Sequence, residues 1–191
     1  MRVLVVDESP ERAELLREGL SSAGYEVAAS LSSPFALLKT IEDLQPDIIV
    51  IDTESPSRDV LEHLVVMSQH TPRPVVMFSN DAEPEKIRAA TRAGVSAYVV
   101  DGLDKDRIAA IMDAAVARFE EMQSLRTQLA EANRKLTDRK LVERAKGLLM
   151  KTRNLDENAA YALLRKMAMD RKLKLADVAQ KLVDAADLLG A

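Results

Sequence analysis

Residues 2–8 read RVLVVDE, four consecutive apolar residues that run directly into two carboxylates. Such an apolar run is typical of a strand buried on both faces of a parallel sheet. Further strand-length runs occupy Tyr25–Ala29, Asp47–Ile51, Pro74–Phe78 and Ala97–Val100. Amphipathic helical patterns lie between them, at Glu11–Ala23, Pro34–Leu44, Val60–Gln69 and Glu83–Ala93. This alternation predicts a five-stranded, doubly wound α/β domain.

Polar side chains gather where these predicted strands end. Doubly wound sheets bind ligands beyond the carboxyl ends of their strands, and those ends carry Asp7, Glu8, Asp52, Ser79 and Asp101. Carboxylates that converge there would bind Mg²⁺, a hard cation that prefers oxygen ligands. We therefore predict Asp7, Glu8 and Asp52 as possible Mg²⁺ ligands. Asp52 is the candidate acceptor of a phosphoryl group, whose charge the metal would offset.

The composition limits the class of protein. The chain has 191 residues, of which 47% are hydrophobic and 30% charged, and it has no cysteine. The missing cysteine excludes disulfides and thiolate metal sites and fits a reducing cytoplasm. The apolar run after Met1 is too short for a signal peptide, and no window approaches 18 apolar residues, so we expect a cytoplasmic chain without a membrane span. His63 and His70 have no nucleophile constellation around them, so we expect no enzyme and no required cofactor.

The charges are distributed unevenly. Between Arg134 and Lys174 the chain has 13 Lys and Arg residues against 5 Asp and Glu residues. The whole chain has 27 and 31 respectively, which leaves the remainder acidic. A basic module on an acidic body indicates a polyanionic partner. A solvated helical face would give the same composition, and composition alone leaves the two about even.

A long helix is predicted after the α/β domain. From Asp104 to about Met150 the chain has no proline and one glycine, Gly147. Apolar residues follow a heptad repeat at Met122, Leu125, Leu129, Ala132 and Leu136. We expect this seam, the coiled-coil segment 119–136, to pair two chains in a homodimer. The alternative is that the seam packs against its own chain.

A small all-α unit follows. Asn154 or Asp156 is able to cap a new helix, in which Tyr161 is expected in the core. The predicted RNA-contacting residues are the cations of this region: Arg144, Lys146, Lys151, Arg153, Arg165, Lys166, Arg171, Lys172 and Lys174. Lys146 precedes Gly147, where a missing side chain allows close backbone approach. A helix-turn-helix bound to DNA is the competitor, but its third helix would offer only Lys181 beside three aspartates, so single-stranded or looped RNA fits better.

The strand-end residues resemble those of the receiver domain of bacterial response regulators, over residues 1–118. The resemblance implies that Asp7 and Glu8 are metal ligands, Asp52 the phosphoryl acceptor and Ser79 the switch hydroxyl. It also implies a lysine where this chain has Asp101, and that lysine contacts the phosphoryl group. A carboxylate there would repel a phosphoryl group. We therefore expect an atypical receiver that is switched by a protein contact.

The segment from Ala145 to Met150, AKGLLM, together with Glu157, Tyr161, Arg165 and Ala179, resembles the ANTAR domain. The resemblance covers residues 124–185, and AmiR, NasR and NasT share this domain. Asp101 followed by Gly102 resembles the NasT type. The resemblance implies an antiterminator that binds leader-mRNA hairpins of nitrate assimilation genes and is held by a nitrate-sensing partner similar to NasS. A phosphorylation-dependent DNA-binding regulator is the second hypothesis, and a protein-interaction adaptor is the third.

Overall fold

A computed structural model of the chain describes residues 1–100 and 107–189. The chain folds into two compact units, which are Met1–Gln123 and the residues from Ser124 onward. Within the described ranges, no helix combines the length and the apolar character needed to cross a membrane.

The first unit contains one parallel sheet. Its five strands within the described residues are β1 (Arg2–Asp7), β2 (Glu26–Leu31), β3 (Ile48–Thr53), β4 (Val75–Ser79) and β5 (Ala97–Val100). They are ordered β2-β1-β3-β4-β5, and every neighbouring pair is parallel. The connecting helices are α1 (Pro10–Ser22), α2 (Leu37–Leu44), α3 (Arg58–His70) and α4 (Pro84–Ala93). The predicted doubly wound α/β fold is confirmed.

Alternating side chains of the central strands supply two separate cores. Val3, Val5 and Val50 pack on one face of the sheet, together with residues of α1 and with Ile108 and Met112. Leu4 and Val6 pack on the opposite face with residues of α2, α3 and α4. Successive side chains of a strand point to opposite faces of the sheet, and both faces of these strands are covered. The apolar runs are therefore uninterrupted.

Gly94 ends α4 in a conformation that requires glycine. Its φ of 105° is disfavoured for residues with a side chain, and an added Cβ would lie 3.0 Å from the Cβ of Ser68. Both observations make Gly94 a constraint on how α4 returns to β5.

The second unit is helical. The helix α5 spans Ile108–Arg153 and is followed by α6 (Glu157–Asp170) and α7 (Leu175–Leu189). The carboxylate of Asp156 caps α6 by accepting from the backbone N–H of Ala159 at 2.7 Å. Asn154 takes a left-handed conformation with φ of 53° between α5 and α6. The core of this unit consists of small and branched residues of the three helices: Ala145, Leu149, Ala160, Leu164, Ala168, Val178, Ala179 and Val183.

The predicted heptad seam is exposed along α5. Met122 is 50% exposed, Leu125 49%, Leu129 63% and Leu136 54%, and Ala132 is also exposed. Among the described residues, the seam therefore does not pack against its own chain. Four large apolar side chains on one helix stay uncovered, which is unusual for a face without a partner.

Candidate functional site

Two carboxylates lie side by side where β1 and β3 end. The parallel register of these strands pairs Asp7 with Asp52. The side chain of Asp7 is fully buried, and that of Asp52 is 19% exposed. The backbone N–H of Ser9 donates to Asp7 Oδ1 at 2.7 Å. Burial raises the pKa of Asp52, and the charge of Asp7 raises it further.

The guanidinium of Arg12, from the first turn of α1, lies among these carboxylates. Its Nη2 lies 3.5 Å from Asp7 Oδ1, its Nε 3.9 Å from Asp52 Oδ2, and its Nη1 3.5 Å from Glu54 Oε1. Partial burial opposes the charge of Arg12, but Asp7 and Asp52 outweigh that effect and raise its pKa. Sequence reasoning missed this residue, although its position five residues after Asp7 on an amphipathic helix was visible.

The predicted three-carboxylate metal site requires a correction. Within the described residues, no group of three acidic or histidine side chains has a geometry that holds a metal ion. Glu8 lies beyond the last residue of β1 and is exposed, so Asp7, Glu8 and Asp52 do not assemble as a set. The cation that lies beside both Asp7 and Asp52 is the Arg12 guanidinium, at 3.5 Å and 3.9 Å. The residues present therefore do not fit the Mg²⁺ site that the sequence suggested.

Ser79 takes part in a network between two loops. Its hydroxyl donates to the carbonyl of Glu54 at 3.0 Å and accepts from the backbone N–H of Asp81 at 3.2 Å. The hydroxyl of Ser55 donates to the Asp81 carboxylate at 2.6 Å, and the hydroxyl of Tyr98 donates to the Asp81 carbonyl at 2.8 Å. The Ser79 hydroxyl is thus bonded to the backbone on both sides and makes no hydrogen bond to Asp52. Asp101, the remaining predicted member of the pocket, lies outside the described residues.

Most of the predicted RNA-contacting cations are exposed in the helical unit. Arg144 is exposed, and its Nη2 lies 2.6 Å from Asp187 Oδ1. The other exposed cations have no acidic partner among the described residues: Lys151, Arg153, Arg165, Lys166, Arg171, Lys172 and Lys174. Seven exposed cations that form no ion pair with residues 1–100 or 107–189 leave their positive charge available, as binding of a polyanion requires.

Lys146 differs from the other predicted contacts because it is buried. It is 8% exposed, and its Nζ lies 2.7 Å from Glu157 Oε1 and 2.9 Å from Glu143 Oε2. This ion pair links α5 to the first turn of α6. The hydrogen bond from Lys146 lowers the pKa of Glu157, and the hydrogen bonds to Glu157 and Glu143 raise the pKa of Lys146. The RNA contact of Lys146 stays a prediction, and its geometry supports a role in positioning α6.

Two features of the basic region differ from the sequence-based expectations. Tyr161, expected in the core, is 44% exposed, and Arg165 lies one helical turn further along α6. The apolar contacts of α6 are supplied instead by Ala160, Leu164 and Ala168. Gly147 has no atom within 4 Å of an added Cβ, so no close approach within the described chain requires glycine there. Sequence periodicity did not separate position 161 from position 160, because neighbouring positions fit the helical pattern almost equally.

Lys172 occupies a conformation that favours glycine. It follows the end of α6 with φ of 54°, and its N–H donates to the carbonyl of Met169 at 3.1 Å. A left-handed residue at this position usually lacks a side chain, since a Cβ there costs about 1–2 kcal/mol. The side chain of Lys172 thus lies at a strained backbone position, and replacing this lysine by glycine would stabilise the fold.

The outer face of α7 is acidic. Asp177, Asp184 and Asp187 are exposed there, beside Lys181. The carboxylate of Asp184 accepts from Gln180 Nε2. A helix with this charge pattern is unsuited to the phosphate-lined major groove of DNA.

The comparisons with known families divide the chain as the fold does. The response regulator receiver domain matches residues 3–113, and the ANTAR domain matches residues 130–183. The transcriptional regulatory protein PdtaR of Mycobacterium tuberculosis is 28% identical over 187 residues, which cover 96% of this chain and 89% of that relative.

Other relatives match the first unit. A protein-glutamate methylesterase/protein-glutamine glutaminase of Xanthomonas oryzae pv. oryzae is 37% identical over 109 residues, covering 56% of this chain and 30% of that relative. The response regulator domain of Thermotoga maritima CheB covers 63% of this chain and 96% of its own length, with a TM-score of 0.52 and 22% identity. The receiver domain of a modulated diguanylate cyclase from Desulfovibrio desulfuricans has a TM-score of 0.56 and 21% identity, over 63% of this chain and 97% of its own. These structural likenesses show the receiver fold.

Because of the Lys146–Glu157 ion pair, we expect the packing of α6 on α5 to be less stable at acid pH. Because the pKa of Glu157 is lowered by folding, its contribution is complete above its ordinary pKa of about 4.3 and is lost as the pH falls through the folded value. Lys146→Met removes the pair. We expect α6 to exchange its amide hydrogens faster in this variant than in the parent at pH 7, and the difference to shrink as the pH falls below the ordinary pKa of Glu157.

Hydrogen exchange measured by mass spectrometry on peptides of α6 checks this, with parent and variant compared at each pH so that the intrinsic exchange rates cancel. Peptides of α3 are the internal control and should exchange equally in both proteins. An undiminished difference at low pH would show that Lys146 stabilises α6 through packing and that the ion pair contributes nothing.

Proposed function

Because this chain belongs to the response regulator receiver domain family and carries an ANTAR domain, we propose that it is an RNA-binding transcription antiterminator. It binds hairpins in leader mRNA and prevents termination of the genes downstream. The observation that carries the proposal is the group of exposed cations without acidic partners in the helical unit. The relative that matches nearly the whole chain is named a transcriptional regulatory protein.

The helical unit supports RNA over DNA. Tyr161 and Arg165 are exposed one turn apart on α6, and such a pair suits stacking on unpaired bases. Duplex DNA offers no unstacked base to an aromatic ring, and the helix that would enter its groove, α7, carries exposed aspartates. A phosphorylation-dependent DNA-binding regulator therefore fits the charges of this unit less well.

Control by a protein partner is the proposed switch. The Ser79 hydroxyl, the expected switch group, is hydrogen-bonded to backbone on both sides, and Asp101 stands where the resemblance implies the lysine that contacts a phosphoryl group, so the pocket is poorly suited to respond to phosphorylation of Asp52. By its resemblance to the NasT type, the partner is a nitrate sensor similar to NasS, and the genes serve nitrate assimilation. That pathway is supported by resemblance alone.

The exposed seam on α5 supports a homodimer. Two copies of a helix that pair through Met122, Leu125, Leu129 and Leu136 would cover side chains that are 49–63% exposed in one chain. A dimer also presents two basic units to one RNA, which raises the effective concentration of the second contact.

Leu129→Lys tests the seam. A lysine at this position would bring two ammonium groups together in one layer of the paired helices. We therefore expect the dissociation constant of the dimer to increase about tenfold or more, equivalent to about 1.4 kcal/mol of binding free energy. Sedimentation equilibrium across the micromolar range measures the effect. Ala130→Lys is the matched control, because it adds the same charge one residue away from the seam. If both variants and the parent share one mass over that range, the seam does not pair chains.

Lys172→Gly tests the proposed function and separates binding from stability. Glycine relieves the left-handed backbone strain at position 172, so we expect the variant to be about 1 kcal/mol more stable to unfolding. It also removes an unpaired cation, so its affinity for a leader hairpin should fall and the slope of log affinity against log salt should decrease by about one unit. In transcription by bacterial RNA polymerase through the leader terminator, readthrough caused by the variant should be lower than that caused by the parent.

Asn154→Gly is the control, because Asn154 is also left-handed and carries no charge. It should keep the salt slope and readthrough of the parent. Readthrough that is absent with the parent over the whole concentration range would contradict antitermination. Equal readthrough with Lys172→Gly and with the parent would remove Lys172 from the RNA surface.

A further inference from the structure

The placement of Arg12 follows from the packing of α1. Leu16 and Leu20 are buried against the sheet, and Arg12 precedes Leu16 by four residues. Residues four apart share a helix face, so the packing that buries Leu16 also directs Arg12 toward the sheet. The guanidinium therefore reaches the ends of β1 and β3 because of a core contact.

The pocket needs a cation. Asp7 is fully buried and Asp52 is its direct neighbour in the register of β1 and β3. Two carboxylates that lie side by side in a partly buried pocket repel each other, and a positive charge close to both offsets that repulsion. Among the described residues, Arg12 is the cation within ion-pair distance of both carboxylates.

The contacts of Arg12 are long and incomplete. Its three N···O distances are 3.5, 3.9 and 3.5 Å, against about 2.7–2.9 Å for a strong charge-assisted hydrogen bond. Asp7 Oδ2 and Arg12 Nε are both buried without a hydrogen-bond partner. The guanidinium thus offsets part of the negative charge of the pocket while it leaves one buried carboxylate oxygen unsatisfied.

We infer that Arg12 is the resident cation of this pocket and excludes divalent metal ions from the Asp7–Asp52 pair. The disagreement between the predicted metal site and the observed side chains is the basis of this inference. The arginine supplies the positive charge that a metal would otherwise bring, and a second cation at the same pair would meet the repulsion of the first. Asp7 Oδ2 is the ligand atom that a metal would recover once Arg12 is removed. The inference depends on the receiver unit and is independent of the proposed RNA binding.

The test compares metal binding by the full chain and by Arg12→Gln, which keeps a polar side chain and loses the charge. Mn²⁺ is the probe, because free Mn²⁺ is counted directly by electron paramagnetic resonance, and Mg²⁺ is then added as competitor. We expect Arg12→Gln to bind one Mn²⁺ at least about tenfold more tightly than the parent, since a unit positive charge has been removed a few ångströms away. Its thermal midpoint should be lower than that of the parent without metal and should rise when Mg²⁺ is added.

Arg17→Gln is the matched control, because Arg17 lies on the same helix and pairs with the exposed Glu14; this variant should bind Mn²⁺ as the parent does. Asp52→Asn in the Arg12→Gln background should abolish the gained site. A second measurement needs only the parent protein. We expect its dissociation constant for Mn²⁺ to be larger than about 1 mM, a value at which the weakest protein Ca²⁺ sites bind their ion. A tighter constant in the parent, or equal affinities in parent and Arg12→Gln, would overturn the inference.

Discussion

The parallel register of β1 and β3 is the constraint on which the receiver unit depends. It places Asp7 and Asp52 next to each other at the end of two strands that are buried on both faces. The apolar residues that precede each aspartate fix this register, because a shift by one residue would exchange the side chains that pack in the two cores of the sheet. The two carboxylates therefore stay together, and Arg12 offsets part of their charge from α1. The same helix packing that builds one core of the sheet thus determines which cation occupies the acidic pocket.

The helical unit has a comparable arrangement with the signs reversed. One buried lysine, Lys146, is held by Glu143 and Glu157 and links α5 to α6. Because this pair uses Lys146 internally and Asp187 pairs with Arg144, the charge available for an external polyanion lies on the remaining exposed lysines and arginines. The unit therefore separates its cations into those that hold the helices together and those that stay open to a ligand. Lys172 belongs to the second group, and its strained backbone shows that the position is not optimised for folding.

Local patterns were sufficient to predict the fold but not the contacts of charged side chains. The continuous apolar run in RVLVVDE depends only on nearby residues, and the strand that it predicts agrees with β1. The pairing of two chains through the heptad seam at Leu129 stays a prediction. Asp7 and Asp52 were paired correctly because parallel strands end at one edge. The contacts of Arg12, the burial of Lys146 and the exposure of Tyr161 were not predicted, since they depend on how helices rotate against a sheet or against one another. A helical rotation of less than 100° decides whether position 160 or position 161 enters the core, and sequence periodicity does not resolve that difference.

The central claim is that the helical unit recognises RNA through unpaired bases as well as through phosphate charge. The most direct measurement is the affinity of the full chain for one leader hairpin as RNA, for the same sequence as a DNA hairpin, and for the RNA with a scrambled loop. The affinities are measured by fluorescence anisotropy at about 0.15 M salt. At this salt concentration exposed charges are screened beyond about 8 Å, which weakens binding that depends on phosphate charge alone. We expect the native RNA loop to bind about tenfold or more tightly than the DNA hairpin and the scrambled loop. Equal affinity for all three would show that the cations form only a nonspecific basic surface and would contradict the claim.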